Sequence, residues 1–262
     1  MKIRSALICL LSIFLIACMN NQSNNFDNDN LEQETRVDFQ KAALLNVEMG
    51  EAYLAQGQIS RAKQKFVHAL ELKPKLPEAH SSIGYFYEKV GDLPEAEHHY
   101  KQAISYASGS KGRFYNNYGT FLCRQSRFKE ADRAFNSSIK DKQYIDTAAV
   151  YENAGLCSLK EANLEKAQFY FNTAVKRDPR RSIASLELAS IEADHHNYAV
   201  AKQYLDNFKA SSEPNPRSLL LGIKLNTKLG NKDEVASDAL KLRNMFPNSP
   251  QYMQYVGSMP HE

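Results

Sequence analysis

Hydrophobic and polar positions fall into three regimes along the chain. Residues 6–16 are apolar apart from Ser12, residues 20–30 are almost entirely Asn, Asp, Ser and Gln, and from residue 43 apolar positions return at helical spacing. That last regime repeats itself. The stretch "GEAYLAQGQISRAKQKFVHALELKP" from Gly50 and the stretch "GYFYEKVGDLPEAEHHYKQAI" from Gly84 carry small, aromatic and alanine residues at matching offsets, 34 residues apart. The period restarts at Ala43, Pro77, Gly112, Ala148, Ser182 and Pro216, with intervals of 34, 35, 36, 34 and 34 residues. Each unit predicts two amphipathic helices and no strand. Gly57, Gly91 and Gly230 are expected to end the first helix of a pair in the left-handed conformation. Pro94 fits the first turn of a second helix, where a missing N–H costs nothing. Ser249-Pro250 reads as cap and first residue of a short closing helix. Residues 31–41 are expected to extend the first helix.

The recurring residues resemble the tetratricopeptide repeat, whose period is about 34 residues. Gly50, Tyr53, Ala62, Phe66, Ala69 and Pro74 match it in the first unit, and Gly84, Tyr87, Ala96, Tyr100 and Ala103 in the second. Gly119, Ala131 and Phe135 follow in the third, then Gly155, Ala167, Phe171, Ala174 and Pro179 in the fourth. The fifth (Ala189, Ala201, Leu205) and sixth (Gly230, Val235, Pro247) are weaker. The resemblance implies an all-α, right-handed superhelix of about six repeats with a short C-terminal capping helix. In such a fold each helix pair covers its apolar face with the next pair.

Composition changes this picture only at the front of the chain. The 262 residues carry a formal net charge of +3, too little to mark a nucleic-acid binder. Lys2 and Arg4 precede the apolar run, which is too short to span a bilayer, where roughly 20 apolar residues are needed. A basic start, a short apolar core and a small-residue exit make a secretory signal. The exit Leu15-Ile16-Ala17-Cys18 resembles the bacterial lipobox, which implies cleavage before Cys18 and lipidation of its thiol. Met19, where that family often has an Asp for inner-membrane retention, points by the same resemblance to the outer membrane. The polar stretch after it cannot bury enough apolar surface to fold and is expected to be a flexible tether. The expected organisation is a signal at 1–17, lipidated Cys18 and tether over 18–34, and a repeat domain over 35–262.

The third repeat reads "YNNYGTFLCRQSRFKEA" from Tyr115 and the fourth "YENAGLCSLKEANLEKA" from Tyr151. With the lipobox and six repeats, these segments are similar to the PilF/PilW family of type IV pilus lipoproteins. That resemblance implies an outer-membrane pilotin that helps the pilus secretin, of the PilQ type, to reach the outer membrane and form its ring, supporting pilus stability and twitching. A general periplasmic scaffold lipoprotein, serving barrel assembly or cell-wall synthesis, is the alternative.

The chain carries none of the common catalytic or phosphate-binding motifs. "SGSKGR" from Ser108 lacks the spacing of a phosphate cradle, and there is no H-E-x-x-H or G-x-S-x-G. Neighbouring His98-His99 and His195-His196 stand about 100° apart on a helix and do not converge on one ion, so solvated histidines are expected. No enzyme activity, metal, cofactor, small-molecule substrate or nucleic acid is anticipated. Cys9 would leave with the signal and Cys18 would carry lipid. Cys123 and Cys157 remain, at one level of the first helix in successive repeats, and in an oxidising periplasm a disulfide is expected. Two buried cysteines packing as small hydrophobes are the alternative.

First helices line the groove of tetratricopeptide proteins. The usual groove positions give Leu44, Val47 and Leu54 in the first repeat and Tyr85 in the second, an apolar stripe of the kind that marks a partner site. Alternatively, the segment around Val37 and Phe39 folds over and covers it. The places where some repeat domains clamp a C-terminal carboxylate hold Val47, Glu51 and Ser82, so an apolar or amphipathic segment is the expected ligand. Asn116 and Asn117 could offer amide contacts to it, or serve local helix packing.

Overall fold

A computed structural model describes the backbone of residues 26–258 and side chains from Phe39 onward. The signal and Cys18 lie outside the described residues, as does the tether up to residue 25. The described residues form thirteen helices and no strand. Helix α1 (Phe26–Ala55) is followed by α2 (Ile59–Leu72), α3 (Pro77–Val90) and α4 (Leu93–Tyr106). Then come α5 (Gly112–Arg124), α6 (Phe128–Lys140), α7 (Thr147–Lys160), α8 (Leu164–Arg177), α9 (Ser182–Asp194), α10 (Tyr198–Ser211), α11 (Pro216–Leu229), α12 (Lys232–Met245) and α13 (Pro250–Gly257). Helix α1 begins at Phe26, inside the stretch expected to be tether. Leu31, Glu32, Gln33 and Glu34 are all strong helix formers, so propensity lets the helix run back through a segment whose polarity alone suggested none. Phe39 continues α1 with 52% of its surface exposed, so at that residue the leader extends the helix and does not fold over a groove.

The chain divides into two compact units, residues 1–99 and 100–262, with the division inside α4. In the first unit α1 packs on α2 and both meet α3. Two clusters hold it: Ala43, Val47, Ala69, Leu76 and Ala79, and beside them Ala62, Phe66, Ile83 and Phe86. In the second unit each odd-numbered helix from α5 to α11 packs on the helix after it, and successive pairs stack.

Close approach within a pair rests on a small residue facing a ring. A Cβ on Gly119 would lie 2.8 Å from the Phe135 ring, and one on Gly155 would lie 2.5 Å from the Phe171 ring. The sixth repeat reverses this arrangement. Ile223 occupies the small position and Ala239 the aromatic one, and both belong to a cluster with Leu219, Leu220 and Leu242. Total volume is kept while its sides are exchanged, which preserves packing.

Turns within the pairs need one residue in the left-handed region. Gly57, Gly91 and Gly230 supply it at φ of 72°, 87° and 77°. Ser126, Ala162 and His196 do so at 60°, 61° and 63° in the third to fifth repeats, where a side chain makes that conformation costlier. Ser249 caps α13 by accepting from the Tyr252 N–H at 3.1 Å, with Pro250 as first helical residue. Tyr252 and Tyr255 of that helix pack against the last cluster.

Candidate functional site

In an α-helix, residues at i, i+4, i+7 and i+11 share one stripe. On α1 the exposed stripe runs through Leu44, Glu48, Glu51 and Ala55, and on α3 through Glu78, Ser82, Tyr85 and Lys89. These two stripes touch: the Ser82 hydroxyl donates to Glu51 Oε1 at 2.5 Å. Tyr85 is 38% exposed, and Lys89 Nζ stands 5.1 Å from its ring centroid. Leu44 is half-buried against the first cluster, and next to it Leu45 is 55% exposed. This face of the first unit is thus aromatic and acidic with one apolar shoulder.

Two expected groove residues are not on it. Val47 lies three residues from Leu44, about 60° off the stripe. It is 5% exposed and packs with Ala43, Ala69, Leu76 and Ala79. Leu54, about 80° off the stripe, packs against the Phe66–Phe86 cluster. Val47 holds the fold, Leu54 and Leu44 are each half-buried against a core cluster, and Tyr85 is exposed.

The same displacement applies in the second unit. Asn116 is buried, and its Oδ1 accepts from Asn153 Nδ2 at 3.1 Å, a link from α5 to α7. Its Oδ1 is thus engaged in packing between the two helices. Asn117, one residue further, lies half-buried on the stripe of Arg113, Thr120 and Arg124. Cys123 and Cys157 form a disulfide with Cα atoms 5.7 Å apart, joining α5 to α7. Lys160 adds to this junction, donating to the Arg124 carbonyl at 2.8 Å and the Cys123 carbonyl at 3.2 Å. Glu152 lies buried between α7 and α9; its Oε2 accepts from the Ala184 N–H at 3.0 Å. Burial raises its pKa, opposed by that hydrogen bond and by Arg181.

His99 is half-buried. Its Nδ1 meets His80 Nδ1 at 3.0 Å, and His80 Nε2 reaches the Pro74 carbonyl at 3.0 Å. The carbonyl can only accept, so His80 carries its proton on Nε2 and its Nδ1 accepts from His99. Burial, then His80 and His98, lower His99 to about 4. Among the described residues, no group of three or more His, Cys, Asp or Glu is placed to hold a metal ion. No helix among them is long and apolar enough to cross a membrane.

Paired helices with small-on-ring contacts and left-handed turns define a tetratricopeptide-repeat protein. Family models for the TPR repeat match residues 50–91, and for the tetratricopeptide repeat residues 77–109 and 148–181. Over 256 residues the chain is 30% identical to the type IV pilus assembly protein PilF of Pseudomonas aeruginosa, covering 97% of this chain and 98% of that one. The solved structure of Pseudomonas aeruginosa PilF superposes with a TM-score of 0.72 at 30% identity, covering 85% of this chain and all of that one. The crystal structure of PilW, described as a widely conserved type IV pilus biogenesis factor, has a TM-score of 0.67 at 24% identity, covering 82% and 98%, and shares the fold. The chain belongs to the PilF/PilW family of type IV pilus proteins.

Proposed function

We propose that this chain is an outer-membrane lipoprotein of type IV pilus biogenesis. It binds the pilus secretin, brings it to the outer membrane and promotes its multimerisation. The observation that carries the reading is the 30% identity with PilF across 97% of the chain. The lipobox at Cys18 supports the anchor, and the repeat fold supports a role in gripping a protein. Leu44 and Tyr85, on the outward face of the first unit, are the proposed contacts for an apolar or amphipathic segment of the secretin. A few central anchors carry most of an interface's energy, and tyrosine is enriched among them.

Purification of the tagged chain from membranes tests this. A secretin ring should co-purify. Changing Cys18→Ala should move the folded body to the soluble periplasmic fraction, because two or more acyl chains anchor stably and none remain. Recovery of barrel-assembly or cell-wall enzymes without secretin contradicts the proposal.

A further inference from the structure

The second unit carries a face of opposite electrostatic character. On α11, Arg217, Lys224 and Lys228 stand at i, i+7 and i+11 and fall within about 20° of one stripe. Arg113 and Arg124 share a stripe on α5 in the same way. Lys160 on α7 reaches back to the Arg124 carbonyl at 2.8 Å, and Arg217 crosses to α9, donating to Glu187 Oε2 at 2.7 Å and Ser190 Oγ at 3.2 Å. Within each of these helix pairs, then, the stripes lie side by side. Six cations stand here against two acids, Glu187 and Asp194, a formal +4. The whole chain carries only +3, so this face concentrates more than its entire net charge. Among the described residues no ion pair engages Lys224 or Lys228, and both are exposed. Between the cations two apolar side chains stand out: Leu156 on α7 and Ile183 on α9, 36% and 48% exposed.

We propose that this face docks an acidic amphipathic segment of a partner protein. Its carboxylates meet the cations along the margins, and its apolar side chains rest on Leu156 and Ile183. Charge complementarity decides the occupant, since attraction between opposite potentials steers encounter and rejects like-charged partners. A cationic border around an apolar centre fits a segment lying along the stripes. This goes beyond the proposed secretin contact at Leu44 and Tyr85, and it does not rest on it.

The test uses the full lipidated chain in phosphatidylcholine nanodiscs, with empty discs as blank. Two labelled synthetic peptides are compared by fluorescence anisotropy: one of Leu and Glu, the other of Leu and Lys. The acidic peptide should bind and the basic one should not. The double change Lys224→Glu with Lys228→Glu, which takes the face from +4 to neutral, should weaken the acidic peptide roughly tenfold or more. Ile183→Gln, at a half-exposed position, should weaken the acidic peptide without exchanging the preference; circular dichroism verifies both folds. Equal binding of the two peptides overturns the proposal. So does a Lys224→Glu, Lys228→Glu protein that holds the acidic peptide unchanged. No secretin is present, so failure here leaves the pilus reading to its own experiment.

Discussion

Changing Val47→Asp is expected to unfold the first repeat. Val47 is 5% exposed and surrounded by Ala43, Ala69, Leu76 and Ala79, with the half-buried Leu44, Leu70 and Leu72 packed against this cluster. None of these side chains can pair with a carboxylate, and an uncompensated buried charge costs roughly 3–5 kcal/mol. That is a large share of the 5–15 kcal/mol or so by which a domain is ordinarily stable. Thermal unfolding should show an early loss of helix, and limited proteolysis should cut first in residues 43–79. Tyr85→Asp, on the outward face of the same unit, should leave the melting curve close to the parent's. A Val47→Asp protein as stable as the parent would show that this side chain is not packed as described.

Removing the disulfide is the second large effect. Cys123 and Cys157 close a loop of 34 residues between α5 and α7. On the chain-entropy model a cross-link of that span contributes about 3–4 kcal/mol by restricting the unfolded chain. Cys123→Ala with Cys157→Ala is the suitable variant, since both positions are buried and a serine would add a hydroxyl there. The double variant should melt earlier, and the parent should match it under reducing conditions. Two freely alkylated thiols in the periplasmic protein would show that the bond is absent.

The fold was legible because its spacing signal is steric. Gly119 opposite Phe135 and Gly155 opposite Phe171 can be read as residue types at fixed offsets, and each reports a real contact. Where the same contact is made by other means, the signal fades. Ile223 and Ala239 exchange the large and small roles, so the sixth repeat looked weak while packing well. Ser126, Ala162 and His196 adopt the left-handed turn that glycine adopts elsewhere, and nothing in their chemistry announces it. The His80–His99 pair was hidden in another way, since it joins two helices of one repeat and the sequence showed only neighbouring His98 and His99.

The candidate site was legible only in part. Groove positions taken from the repeat pattern pointed to Val47 and Asn116, yet both turn into helix junctions about 60° from the outward stripe. Apolar character misled in the first case, because a valine suits an exposed groove and a packed seam equally well. Tyr85 and Leu44 survive because their offsets fall on the stripe where Ser82 meets Glu51. The cationic face of the second unit went unseen, as its residues are spread over helices far apart in sequence and nearly vanish in a net charge of +3.

The most direct test of the pilus account is made in cells whose own copy of this chain is deleted. They are complemented with the parent or with Leu44→Gln combined with Tyr85→Asp, and the multimeric fraction of the secretin in the outer membrane is measured. The account predicts full multimers with the parent, and secretin left as monomers with the double variant, although the latter is folded and lipidated. Stable secretin multimers at the outer membrane in the presence of a folded double variant would contradict it.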